Sequence, residues 1–235
     1  MIKRFYFKEP NKFENILSFR VYNFCKESLK RPLMYSKEFF YSKRIDLNNT
    51  VDNIFGDFKS NTRNEIRKSD NYEVTFNENI DRLTFVNIYN QGAENLKRPK
   101  INLNELETEL KITGTTFEDN ICSIHAYLIN NNDSSMLLYS VLNYNSNIES
   151  KLLGYFNRFH HFEDIKYFKS CNFNFYDFGG YALETNDNKL KAINKFKDSF
   201  GGELIKYLNF NSPLVIFLRI LIKTKNNIET KFRNK

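Results

Sequence analysis

Asn157-Arg158-Phe159-His160-His161-Phe162-Glu163-Asp164-Ile165-Lys166-Tyr167-Phe168-Lys169 runs into Phe173-Asn174-Phe175-Tyr176-Asp177-Phe178-Gly179-Gly180, and sixteen residues after Gly180 the chain reads Phe196-Lys197-Asp198-Ser199-Phe200-Gly201-Gly202-Glu203. The first stretch has helical periodicity. Tyr155, Phe159, Phe162, Ile165 and Phe168 form an apolar stripe with the spacing of a core face. Asn157, His161 and Asp164 form a polar stripe at i, i+4 and i+7. That stripe reads either as a solvated face or as the lining of an acceptor cleft, with His161 as a proton acceptor. His160 and His161 lie about 100° apart around a helix, so they do not both point into one site. The pattern predicts a helix over residues 150–169, a strand over 172–177 ending at Gly179-Gly180, and a helix over 188–200 stopped by Gly201-Gly202.

Upstream, residues 121–129 and 135–144 read as strands around the turn signal Asn130-Asn131-Asn132-Asp133. Residues 52–69 read as a helix. Thr62 and Glu65 fit a capping box there, with Ser60 and Asn61 as alternative caps, so the helix is restarted or irregular at that point. Residues 72–76 alternate like a strand, and residues 80–92 and 103–113 carry helical patterns. Ile45-Asp46-Leu47 is a short strand, and residues 16–24 fit a helix or a strand equally. Downstream, residues 203–208 and 214–222 read as strands, and 223–235 as a frayed basic tail. The order is an α/β pattern with a mixed sheet. Neither GxxxxGK[ST] nor GxGxxG occurs, so two common nucleotide-binding fingerprints are missing.

The chain has 235 residues, 41% hydrophobic and 27% charged, enough for one large domain with a packed core. Its aromatic residues are 24 Phe and 14 Tyr with no Trp, so Phe against Ile and Leu should dominate that core. The formal net charge of +7 suits anionic partners: phosphates, nucleic acid or an acidic membrane surface. A Lys- and Asn-rich coding bias explains the same charge. Cys25, Cys122 and Cys171 have no metal-like spacing, and no signal peptide or membrane span is visible, which together read as a cytoplasmic setting.

The pair of segments Tyr176-Asp177-Phe178-Gly179-Gly180 and Phe196-Lys197-Asp198-Ser199-Phe200-Gly201-Gly202-Glu203, after that helix and at that spacing, resembles the FemABX family of the GNAT acyltransferase superfamily. Thr62-Arg63-Asn64-Glu65-Ile66-Arg67-Lys68 resembles the family's Arg-x-x-Ile-Arg helix before a strand. The likeness spans about residues 55–210. It implies a GNAT-like α/β fold with a mostly antiparallel twisted sheet flanked by helices. It implies residues 1–55 as an extension or reduced first domain, 56–222 as the acyltransferase domain and 223–235 as the tail. It further implies transfer of an aminoacyl or acyl group to an amine of a cell-envelope precursor, such as a peptidoglycan peptide or a nucleotide- or lipid-linked amino sugar.

Such a transfer needs a neutral amine, donors for the oxyanion, a proton acceptor and cationic holds on phosphates. The resemblance gives Lys197 charge stabilisation on the donor side. A solvated helix lysine is the plainer reading, with Lys189, Lys191 and Lys195 nearby. Asp177 is a candidate to orient the amine or take its proton, or simply a carboxylate capping the turn. Gly179 and Gly180 allow close approach to a ligand or only a tight turn. Asn157, Tyr176 and Phe196 complete the candidate substrate contacts, although Tyr176 and Asp177 alternate to opposite faces. Arg63 and Arg67 share a helix face and either clamp phosphates or remain surface charge. No metal site and no bound cofactor is expected. The donor is aminoacyl-tRNA or acyl-CoA; the [RQ]-x-x-G-x-[GA] loop of CoA users is replaced by Tyr144-Asn145-Ser146-Asn147-Ile148-Glu149-Ser150-Lys151-Leu152-Leu153-Gly154. A basic, non-catalytic RNA- or tRNA-binding protein is the competing class. The apolar residues 213–222, followed by Lys223, Lys225, Lys231, Arg233 and Lys235, raise peripheral contact with the inner face of the membrane as an expectation.

Overall fold

The computed structural model describes residues 2–12, 16–95, 98–106, 110–131 and 133–233. In chain order the elements are β1 (Lys3–Tyr6), β2 (Arg20–Cys25), β3 (Ser36–Asp46), α1 (Val51–Asp57), α2 (Ser60–Ser69), β4 (Thr75–Asn77), α3 (Arg82–Asn95), a 3-10 turn (Leu103–Glu105), β5 (Leu110–Phe117), β6 (Asn120–Asn130), β7 (Ser134–Leu142), α4 (Ser150–Ser170), β8 (Phe175–Gly180), α5 (Asn188–Asp198), β9 (Glu203–Asn211) and α6 (Pro213–Arg233). They form two compact units: Lys43 to Leu204, and the chain up to Ser42 together with the chain from Ile205.

In the larger unit the strand order is β8-β7-β6-β5-β4. The pairs β4–β5, β5–β6 and β6–β7 are antiparallel and β7–β8 is parallel. This is the mixed, mostly antiparallel α/β sheet that the sequence pattern and the GNAT resemblance imply. α4 packs on β5 and β6, and α3 packs on β7.

Alternation along β6 divides its residues between two environments. Ile124 and Ala126 join Ile112, Phe85 and Val86 in one apolar cluster. Tyr127 joins Ile165, Phe168, Tyr176, Phe178, Phe200 and Phe58 in another. Burying a Phe side chain is worth about 1.5–3 kcal/mol, so the fully buried Phe58, Phe168, Phe178 and Phe200 dominate that second cluster. Thr113 pairs with His125 and Thr115 with Ser123, and all four side chains are buried. The β5–β6 pair therefore presents a polar band, which α4 covers.

In the smaller unit β1 pairs with β2 in parallel and β2 pairs with β9 antiparallel. Tyr22, Cys25, Tyr35, Leu208 and Phe210 form its core. Residues 16–24, ambiguous in pattern, contribute the strand β2.

Several elements differ from the sequence reading. Residues 52–69 form two helices, α1 and α2, broken where Phe58 is extended. Thr50 caps α1, with Oγ1 accepting from Asn53 N at 3.3 Å. Thr62 lies buried inside α2, so the Thr62–Glu65 capping box does not form. Residues 103–113 give a 3-10 turn and then β5 rather than a helix; 107–109 lie outside the described residues. The helical spacing of Leu103, Leu106 and Leu110 is outweighed by pairing of β5 with β6. Asn132 of the expected turn is likewise outside the described residues. Residues 214–222 are helical, as part of α6. Pro213 opens α6, where its fixed φ suits the first turn. Residues 223–233, expected to be frayed, continue that helix; the side chains from Lys225 onward lie outside the description.

Candidate active site

A cavity of about 580 Å³ lies within the larger unit, walled by α3, β7, α4, β8 and α5. Most of its surface is aliphatic or aromatic. Its polar groups include Asn157 and His161 from α4 and Lys197 from α5, with Arg98 on the segment after α3. Gly180 and Phe196 also line it.

Asp187 caps α5 by accepting from the backbone N–H of Lys189 and Leu190, which sets where the helix begins. Ten residues after this cap, Lys197 lies in the last turn, where a cation suits the helix dipole. Its Nζ donates to the carbonyl oxygens of Gly179 at 3.0 Å and Gly180 at 2.5 Å. Burial lowers its pKa to about 8, against the pull of Asp177 in the other direction. Gly179 has φ of 68°, and a Cβ there would run into the Leu137 carbonyl oxygen. Only glycine fits this crossing of the backbone. Asp177 is fully buried, and its Oδ1 accepts from Gly179 N at 2.8 Å, which holds the turn beneath Lys197.

Behind His161 lies a buried hydrogen-bond network. His161 Nδ1 is 2.7 Å from Tyr176 Oη, and Tyr176 Oη is 2.9 Å from Tyr127 Oη. Tyr127 donates to Asp164 Oδ2 at 2.5 Å. Thr113 donates to Asp164 Oδ1 at 2.7 Å, and His125 Nδ1 is 2.6 Å from Asp164 Oδ2. His125 Nε2 reaches Asn157 Oδ1 at 3.2 Å, back at the cavity wall. His160 bridges Thr113 at 2.9 Å and Ser123 at 2.7 Å. Burial drives the pKa of His161 well below 6.5, reinforced by His125, Lys197 and Arg158, so this imidazole is neutral. Burial does the same to His160, against the pull of Asp164. Burial raises the Tyr127 and Tyr176 phenols well above their usual value, so both keep their protons.

His125, His160 and Asp164 bring ligand-type atoms within 4.8 Å of one another. The two imidazoles stack with centroids 3.7 Å apart and planes 3° from parallel. In-plane lone pairs on parallel stacked rings do not converge on one ion, and every ring nitrogen of the pair already has a hydrogen-bond partner. The donor set fits a hydrogen-bond network rather than a metal centre.

Of the residues singled out from sequence, Lys197, His161, Asn157, Gly180 and Phe196 meet at the cavity. Tyr176 lies one hydrogen bond behind His161, and Asp177 and Gly179 form the turn that holds Lys197. Arg63 and Arg67 do not come to the cavity. Arg63 donates to the carbonyls of Gly56 and Phe58 at the end of α1, and Arg67 lies 5.4 Å from the Phe55 ring centroid. Both tie α2 to α1. The polar stripe of α4, readable as a solvated face, is buried throughout. His160 and His161, about 100° apart, nevertheless both contact the one ring of His125. Sequence reading overlooked His125, Tyr127 and Thr113. Their signal was polar residues in phase at 113, 115, 123, 125 and 127 on neighbouring strands.

No family model matches the sequence, and no curated protein matches it. Solved structures do match. FemX aligns with a TM-score of 0.57 at 13% identity over 77% of this chain and 63% of that one. The C-terminal domain (DUF2156) of a putative lysylphosphatidylglycerol synthetase from Agrobacterium fabrum aligns with 0.57 at 8% over 82% and 67%. L-PGS from Bacillus licheniformis aligns with 0.55 at 12% over the same shares. These likenesses show a shared fold: the chain has the architecture of FemX and of the two synthetase structures, in keeping with the fold its Gly-Gly motifs imply. It spans just under two thirds of the FemX chain.

Proposed function

We propose that this chain transfers an aminoacyl or acyl group to an amine of a cell-envelope precursor. The observation that carries the proposal is the meeting at one cavity of the Lys197 ammonium, held by two backbone carbonyls, and the neutral imidazole of His161. A positive charge held in place stabilises the oxyanion of the tetrahedral intermediate. A neutral imidazole accepts the proton that the attacking amine must lose. The largely apolar walls suit the hydrocarbon parts of a donor and acceptor, whose binding would displace water from the reacting carbonyl. FemX and the lysylphosphatidylglycerol synthetase structures share the fold and add weight to this class of chemistry.

The acceptor in this reading is an amino sugar or peptide amine carried on a nucleotide or lipid, and the enzyme works on the cytoplasmic side. With Arg63 and Arg67 held elsewhere, the role of holding a substrate phosphate passes in this reading to Arg98, which lines the cavity together with Lys197. The donor is aminoacyl-tRNA or acyl-CoA. A screen of acyl-CoAs and charged tRNAs against amino-sugar acceptors, read by mass of the product, tests the proposal. Transfer that survives Lys197→Ala unchanged would remove its main support. Tight, salt-sensitive tRNA binding with no transfer from any donor would favour a non-catalytic RNA-binding role.

A membrane contact has its own support. Phe217, Ile220, Leu221 and Ile222 on α6 are each at least half exposed, beside Arg219 and Lys223. An apolar surface edged by cations suits the plane of an anionic bilayer. No described helix is long and apolar enough to cross a membrane.

A further inference from the structure

Asp164 sits at the centre of the buried network, and its ionisation fixes the direction of the hydrogen bonds around it. Burial pushes its pKa up, but His160, His125 and Tyr127 outweigh that, and the carboxyl lies below its usual value. A carboxylate only accepts. Tyr127 has one proton and gives it to Asp164, so the Tyr127 oxygen must accept from Tyr176. Tyr176 has one proton and gives it to Tyr127, so its oxygen must accept from His161 Nδ1–H. A neutral imidazole protonated at Nδ1 has a bare Nε2. Among the described residues, His161 Nε2 has no hydrogen-bond partner.

We infer that Asp164, acting through Tyr127 and Tyr176, holds His161 in the Nδ1–H tautomer and leaves Nε2 as the proton acceptor at the cavity. Asp164, Tyr127 and Tyr176 are positioning residues. What His161 accepts rests on the acyl-transfer reading above. In that step the amine nitrogen bonds to the donor carbonyl carbon, and Nε2 takes the amine proton. The carbonyl carbon's bond to the donor oxygen or sulfur then breaks, and Nε2–H returns the proton to that leaving atom. The imidazolium formed in between donates from Nδ1 into a chain that ends on a carboxylate, which favours its charge. The charged and titratable groups around His161 are His125 from β6, Arg158 on its own helix, Lys197 from α5 and Tyr176 from β8. Phe178, Phe196 and Phe200 enclose the remainder of the ring.

The same logic assigns the opposite tautomer to His160. Thr113 donates to Asp164, so its oxygen accepts from His160 Nε2–H, and His160 Nδ1 is the bare nitrogen. The chain contains only three histidines, so ring nitrogens are separable by NMR of protein labelled with 15N-histidine. The spectrum is expected to show His161 protonated at Nδ1 and His160 protonated at Nε2. Asp164→Asn is the direct variant, but it strips a charge from a buried network. Tyr176→Phe keeps the ring and removes only the hydroxyl that links His161 to Tyr127. It should release His161 from its fixed tautomer and lower kcat about 10- to 100-fold with little change in KM. Wild-type His161 protonated at Nε2 would overturn the inference. So would a Tyr176→Phe variant whose tautomer and kcat both stay put, or whose tautomer moves while kcat holds. The spectrum needs no substrate: the expected tautomers without transfer from any donor would uphold the positioning chain and overturn only the transferase reading.

Discussion

Lys197 shows how a side chain legible as a motif acquires a specific chemical state from its surroundings. The Phe-Lys-x-x-Phe-Gly-Gly run singles it out, but only the folded chain shows two carbonyl oxygens receiving its ammonium. With its pKa brought down to about 8, the charge is present at neutral pH and lost in mild alkali. The rate of transfer should therefore fall as pH rises through about 8. Lys197→Arg should remove that alkaline limb, because a guanidinium stays charged to above about pH 12. An unchanged limb in Lys197→Arg would show that another group sets it. The acidic limb should lie below the usual histidine range, since burial keeps His161 neutral. Asp164 is the opposite case. As one member of a polar stripe it had no partner in view, because its partners Thr113, His125 and Tyr127 lie far away in sequence.

At the scale of elements, the informative unit is the polar band between α4 and the β5–β6 pair. β6 and α4 were legible from periodicity, whereas the start of β5 read as part of a helix. The pairing of these elements was not legible, because two polar stripes become a network only when the register sets Thr113 beside His125. The band makes stability depend on pH with a definite sign. His160 and His161 are neutral when folded and take protons near their ordinary pKa of about 6.5 when unfolded. Below that pH the unfolded state binds more protons, so stability falls by up to about 1.4 kcal/mol per pH unit for each histidine. Asp164 adds a second loss as pH drops through its folded value, below 3.8. Urea unfolding at about pH 7 and about pH 5 checks the histidine contribution. A midpoint unchanged between them would contradict burial of neutral imidazoles. α6 was misread because a run such as Leu214 to Ile222 has no alternation, and its 21-residue length favours a helix. Its apolar surface predicts partition onto anionic vesicles. Replacing Phe217 and Ile220 with Ser should reduce that partition, and equal partition would remove the membrane reading.

For the whole molecule, the fold was more legible than the reaction. Gly179 and Gly202 anchor the fold motif physically: both adopt positive φ, and at both a Cβ would strike a neighbouring carbonyl. No other residue fits these two crossings without strain, so the Gly-Gly punctuation carries information about the fold. The donor and acceptor depend on what the apolar cavity accepts, which no motif spells out. The measurement that bears most directly on acyl transfer at this cavity compares the wild type with Lys197→Ala and His161→Gln. Acyl-CoAs and charged tRNAs would serve as donors and amino sugars as acceptors, with the acylated amine weighed by mass spectrometry. Product from the wild type with at least one donor, reduced about 100-fold or more in both variants, is the predicted result. Product formed equally by all three proteins, or by none with any donor, would contradict it.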